Sequence, residues 1–167
     1  MIKRFFSFLA LFVCLFAVSG CSSVVGTFTG WQDPPTVEFQ QVVVRVSADY
    51  LNHVVRGDWK HIEGVVLWDD YLANKSDDFT KPEYYKQLED LSETLKKIPP
   101  AAHPLVNLDL IDVKSNSERT AAKVYFRKFK DPESPQVVIT LSWVGRGWLV
   151  DGDSIFGKDE LASKLLR

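Results

Sequence analysis

Cysteine is scarce: Cys14 and Cys21 are the two in 167 residues, too few for a disulfide framework. A surplus of positive charge is missing as well. Twenty Lys and Arg stand against 22 Asp and Glu, for a net charge of −2, so no nucleic-acid partner is expected. No apolar run reaches the roughly 20 residues of a membrane-spanning helix. There is no Gly-rich phosphate loop. The acidic pairs Asp69-Asp70, Asp77-Asp78 and Asp151-Gly152-Asp153 lack the spacing of a calcium loop and read as solvated loops or caps. Ser22, Ser23, Ser115 and Ser117 lack the strained, glycine-flanked setting of a nucleophile. Histidine is limited to three positions. His53 and His61 straddle a helix break, so their side chains need not converge, and His103 sits between prolines. Surface or capping roles are expected for all three, with no metal site and no cofactor. What is present is an ordinary globular composition, 46% apolar, 25% charged and 13% aromatic, enough for one core.

The N-terminus has an organisation of its own. Lys3 and Arg4 precede an apolar run from Phe5 to Ala17, interrupted only by Ser7, and small residues Val18-Ser19-Gly20 lead into Cys21. Charge, short apolar core and small residues are the order of a signal peptide. The tetrad Val18-Ser19-Gly20-Cys21 resembles the lipobox of bacterial lipoproteins, with Val18 where Leu is usual. That resemblance implies cleavage before Cys21, a diacylglycerol on its thiol and acylation of the new amine. It also implies sorting by the next residue. Ser22 is not the Asp that commonly retains lipoproteins in the inner membrane, so the periplasmic face of the outer membrane is the expected location. Removing residues 1–20 leaves Cys21 as the sole cysteine; once it is acylated, thiol catalysis and cysteine-based zinc sites are excluded.

Residues 21–36 read as a lipidated tether, stiffened by Pro34-Pro35, and residues 37–167 as a single domain. Phe28 and Trp31 are unusual in a tether and fit either the domain or a membrane interface. Val43, Val46, Tyr50, Leu51 and Val54 recur at helical spacing between Val37 and Arg56, with Gly57 as terminator and Asp58 as the next cap. The Val42–Val44 run also suits a strand. A second helix is expected from Trp59 to about Ala73, with Ile62, Val65, Val66, Asp69 and Leu72 on one face. Thr80 and Glu83 have capping-box spacing ahead of Tyr84, Leu88, Leu91, Leu95 and Ile98, and Pro99-Pro100 ends that helix. Alternation then takes over at 106–110, 122–127, 137–143 and 148–150. Ser115-Asn116-Ser117, Lys130–Pro135 and Gly145-Arg146-Gly147 are the expected turns, and Lys158–Leu166 a short closing helix. The apolar face Val137/Ile139/Leu141/Trp143 is expected to lie under the Tyr84–Ile98 helix.

Helices first, then a curved antiparallel sheet of about four strands, make an α+β layout. Arg56-Gly57-Asp58-Trp59 between two helices, and Trp143, Gly147 and Trp148-Leu149-Val150-Asp151 in the last hairpin, resemble the opening and closing of NTF2-like (cystatin-like cone) domains, including those of lumazine-binding-like lipoproteins. The resemblance covers about residues 40–156. It implies the cone fold and selects no activity, because that fold serves enzymes, carriers and interaction modules alike. Asp109, Tyr125, Arg127 and Asp151 fall on strands, match no catalytic motif of that family and are expected on the solvated face. The aromatic residues Tyr50, Trp59, Trp68, Trp143 and Trp148 are the candidates for a ligand or partner surface. Two functional readings follow. The first is a non-catalytic, membrane-anchored module of the cell envelope that binds a protein partner or itself. The alternative is a small-ligand carrier or enzyme using the apolar cone as its pocket.

Overall fold

The computed structural model describes residues 30–99, 102–158 and 160–166. The expected signal peptide, Cys21 and Phe28 lie outside them. A two-residue strand β1 (Trp31–Gln32) precedes helices α1 (Val37–Arg56), α2 (Trp59–Val65), α3 (Trp68–Ala73) and α4 (Lys81–Leu95). Strands β2 (Leu108–Asn116), β3 (Ala121–Lys128), β4 (Val137–Val144) and β5 (Gly147–Asp153) and the short helix α5 (Leu161–Leu165) follow. The sheet is an antiparallel meander in the order β1-β2-β3-β4-β5. It has five strands rather than about four. The extra one comes from the expected tether: Trp31 pairs with Asn116 and Gln32 with Ser115, while Lys123 Nζ stands 4.6 Å from the centre of the Trp31 ring.

The longest helix is α1, and its start and stop are chemically marked. Thr36 caps it by accepting the Phe39 N–H at 3.1 Å. Gly57 ends it with φ 68°, a left-handed turn that favours glycine; a Cβ there would also stand 2.7 Å from Ser92 Oγ. Val43, Ser47, Tyr50, Leu51 and Val54 form its buried stripe. That stripe lies across β2, β3, β4 and β5, over Val113, Ala122, Val124, Ile139, Leu141 and Val150.

The helix on the sheet is therefore α1. The α4 helix packs on α1 and α5, one layer further out, because its own stripe (Tyr84, Leu88, Leu91, Leu95) is met by helices. Val137, Ile139 and Leu141 are buried as expected, whereas Trp143, at the hairpin end, is 45% exposed. Leu141→Ala should cost about 2–5 kcal/mol, the range for emptying a buried leucine site. Val144→Ala, at an exposed site, should stay within about 0.5 kcal/mol. Urea unfolding of the two variants measures the difference.

The expected second helix is broken in two. Val66 forms a parallel bridge with Val150, and the Leu67 N–H donates to the Val150 carbonyl at 2.8 Å. The break covers the free edge of β5, which would otherwise present unpaired backbone groups. Thr80 precedes α4 as expected but makes no side-chain cap bond. On β2 the strand runs on through Ser115 and Asn116, and Asn116 Oδ1 accepts the N–H groups of Thr120 at 2.8 Å and Ala121 at 3.0 Å. The reversal thus falls after the expected turn.

Candidate functional site

The five aromatic candidates do not form one surface. Tyr50 is buried, so it is not a surface residue. Trp68 is half-buried in an aromatic cluster with Tyr71, Tyr84 and Tyr85, and Lys81 Nζ lies 4.5 Å from its ring centre. Trp143 and Trp148 pair across the last hairpin at 5.7 Å, and Phe39 of α1 meets Trp148 edge-on at 5.4 Å. Trp59, on the first turn of α2, stands clear of the core, 52% exposed, with Tyr85 6.2 Å away.

Trp59 borders a surface groove of about 510 Å³ between the start of α2 and α4, lined by Gly57, Trp59, Tyr85, Leu88, Glu89, Ser92 and Glu93. Its position follows from local chemistry. Asp58 caps α2 through the His61 N–H at 3.3 Å, which fixes the first turn that carries Trp59. Glu63 accepts from both Lys81 and Tyr85 and so ties α2 to α4. The floor is aromatic and aliphatic, and the α4 rim carries the exposed Glu89 and Glu93. Lys96 bonds Glu93 at 2.6 Å and, with that bond, holds its carboxyl below the usual range.

A second constellation is buried, and Asp153 is its centre. Its side chain is fully enclosed and that of Lys75 nearly so. The hydroxyls of Tyr50 and Tyr71 both donate to Asp153 Oδ2, the latter at 2.8 Å. The backbone N–H groups of Ile155 and Phe156 donate to Oδ1 at 2.8 and 3.0 Å. Lys75 Nζ stands 3.5 Å from Oδ1 and donates to the carbonyls of Asp153 and Phe156, each at 2.6 Å. The Tyr50 and Tyr84 hydroxyls are 2.9 Å apart. Burial first, and the Asp153 charge second, push all three phenols well above their ordinary pKa, so none ionises near neutral pH. Both Asp153 oxygens are occupied by donors, and the cluster joins α1, α3, α4 and β5. This is the chemistry of a structural pin, not of an acid awaiting a substrate.

Of the strand residues expected on the solvated face, Asp109 is exposed and Tyr125 and Arg127 are half-buried. Asp151 is buried instead. It is the extra residue of a bulge, since Thr140 pairs with Gly152 and Leu141 with Val150. Ser142 Oγ donates to its Oδ2 at 2.6 Å, and its Oδ1 has no hydrogen-bond partner among the described residues. Burial raises its pKa. It lines a cleft of about 420 Å³ with Trp31, Lys123 and Thr140, on the sheet face away from α1. A carboxyl whose pKa is raised by folding opposes stability as pH climbs through that raised value, and not below the ordinary carboxyl range. Asp151→Asn should therefore raise the melting temperature at pH 7 and leave it unchanged near pH 3; melts at the two pH values test this.

His103 is buried rather than on the surface, and its Nδ1 accepts the Leu105 N–H at 3.2 Å, a capping role. Burial lowers its pKa, in keeping with a neutral ring. His53 and His61 do converge: their rings stack with centroids 3.6 Å apart.

The sequence reading missed Asp153 and the His pair. The one signal for the first was the Asp151-Gly152-Asp153 run; for the second it was the Gly57 break, which folds α2 back beside α1. Comparison of the chain with family models, curated proteins and solved structures finds no match.

Proposed function

We propose that this chain is a lipid-anchored module of the bacterial envelope that binds a protein partner, is held by acylated Cys21 at the periplasmic face of the outer membrane, and catalyses no reaction. The order of helices and antiparallel meander supports placing the domain among NTF2-like cones. The observation that carries the function is the Trp59 groove: an exposed tryptophan on an aromatic and aliphatic floor, bounded by Glu89 and Glu93. Tryptophan and tyrosine concentrate where contacts are made, and the two carboxylates favour a partner segment that mixes basic and aliphatic side chains.

The space between α1 and the sheet favours this reading over a pocket inside the cone. It is occupied by Val43, Tyr50, Leu51 and Val54 packed on Val124, Ile139, Leu141 and Val150. The alternative of a small-ligand carrier or enzyme has one observation in its favour, the buried Asp151 carboxyl in its cleft. That cleft lies outside the cone.

Crosslinking in the native envelope followed by mass spectrometry tests the proposal. Wild type should yield a defined adduct, with a partner or with itself. Trp59→Ala and Glu89→Lys should each reduce it at least fivefold, with no change in melting temperature. Recovery of the protein always alone, or an undiminished adduct from both variants, would overturn the reading.

A further inference from the structure

We propose that Asp49, His53 and His61 form a binding site for one first-row divalent transition-metal ion, such as zinc, nickel or cobalt, at the corner where α1 turns into α2. Asp49 and His53 are four residues apart on α1 and so share a face. The left-handed turn at Gly57 returns the chain, and the first turn of α2 sets His61 beside them. One carboxylate then serves both rings. Asp49 Oδ1 lies 3.6 Å from His53 Nε2, and Oδ2 lies 3.4 Å from His61 Nε2. The three donor atoms all fall within 4.8 Å of one another. Ligands spaced tetrahedrally around zinc, at its usual bond lengths, stand about 3.3 Å apart, so a small closure suffices. Two imidazoles and a carboxylate suit borderline first-row ions; calcium and magnesium take oxygen ligands.

The surroundings of His53 are an independent reason. Its Nδ1 stands 3.0 Å from Asp58 Oδ2. A proton on Nδ1, donated to that carboxylate, leaves the Nε2 lone pair facing Asp49 and His61, which is the ligating tautomer. The other Asp58 oxygen accepts the His61 backbone N–H. One carboxylate thus orients the first ring and positions the residue that carries the second.

The rings now lie nearly parallel, 8° between planes, with each Nε2 near an Asp49 oxygen. A shared ion requires them to fan apart. His53, 13% exposed and held by Asp58, stays; His61, 44% exposed, supplies the rotation. Asp49 is 54% exposed, which leaves an entry path and room for water to complete the coordination sphere.

Calorimetric titration of the untagged, detergent-solubilised full chain with Zn²⁺ tests the site, alongside visible absorption with Co²⁺. The expected result is one ion per chain, cobalt d–d bands, and a Zn²⁺-dependent rise in melting temperature. Asp49→Asn and His61→Asn, both at exposed positions, should each weaken binding at least tenfold and abolish the rise. Should either variant fold poorly, the wild-type cobalt bands and the other variant still decide. No heat and no bands with wild type at millimolar metal, or wild-type affinity in both variants, would overturn the proposal.

Discussion

Asp153→Ala should lower stability by about 3–5 kcal/mol, the range for removing one member of a buried ion pair. In a domain of this size that corresponds to a fall in melting temperature of about 10 °C. The loss has several sources. Lys75 keeps its two carbonyl partners but loses the compensating charge while nearly enclosed. The hydroxyls of Tyr50 and Tyr71 lose their acceptor, and two backbone N–H groups are left without one; each buried orphan costs about 1–3 kcal/mol before relaxation. Asp153→Asn keeps the shape and one carbonyl oxygen and should fall between wild type and Ala. Thermal and urea unfolding of the three proteins gives the order. A midpoint for Asp153→Ala within about 1 °C of wild type would show that the carboxylate is not what joins the helices to β5.

That cluster also marks where sequence pattern stops being informative. Alternation counted from the buried Val150 puts Asp153 on the outer face, with Asp151. The bulge at Asp151 inserts one residue, and a one-residue slip reverses every side chain beyond it. Asp153 therefore pairs with the inward Ile139 and meets the tyrosines. The bulge between Leu110 and Asp112 acts in the same way on β2: Leu110 pairs with Phe126 and Val113 with Val124, so the inward face passes from even to odd positions across it. Where the pattern is local and uninterrupted, the sequence suffices. While the Val42–Val44 run leaves its start open to a strand, the end of α1, with Gly57 and Asp58 after it, follows from apolar spacing and capping chemistry alone. So does the Gly145-Arg146 reversal between β4 and β5. Which helix covers the sheet was not legible, because α1 and α4 carry comparable apolar stripes and only the tertiary arrangement ranks them. The Trp59 groove was half legible. Its aromatic residue stood out in the sequence, but only the folding of α2 beside α4 brings Glu89 and Glu93 next to it.

Cys21→Ser, behind a leader cleaved independently of Cys21, should move the protein from the membrane fraction to the soluble fraction almost completely. Among the described residues no helix is long and apolar enough to cross a membrane, and the excess of acidic over basic residues gives little attraction to an anionic bilayer. The proposed attachment therefore rests on acyl chains at one residue. A single chain holds a protein only marginally, whereas several bind stably, so removing the one acylation site should act as a switch and not a gradual weakening. Trp31 already belongs to the sheet and follows Cys21 by a stretch that reaches at most about 35 Å, so acylation of Cys21 would hold the β1 edge of the domain within that reach of the membrane. The substitution needs a companion. Without acylation the apolar run Phe5–Ala17 could stay uncut and hold the variant by itself, so residues 1–20 should also be exchanged for a leader cleaved independently of Cys21. Fractionation of both proteins and mass measurement of the N-terminal peptide read the result. Wild type should carry the acyl mass on Cys21, and the exchanged-leader Ser variant should be soluble with an unchanged melting temperature. A free thiol on the wild-type peptide would remove the lipid anchor from the proposal. Undiminished membrane association of the soluble-leader variant would transfer the attachment to the folded domain, where the exposed Trp143 and Val144 beside Arg146 at the last hairpin would be the first residues to substitute.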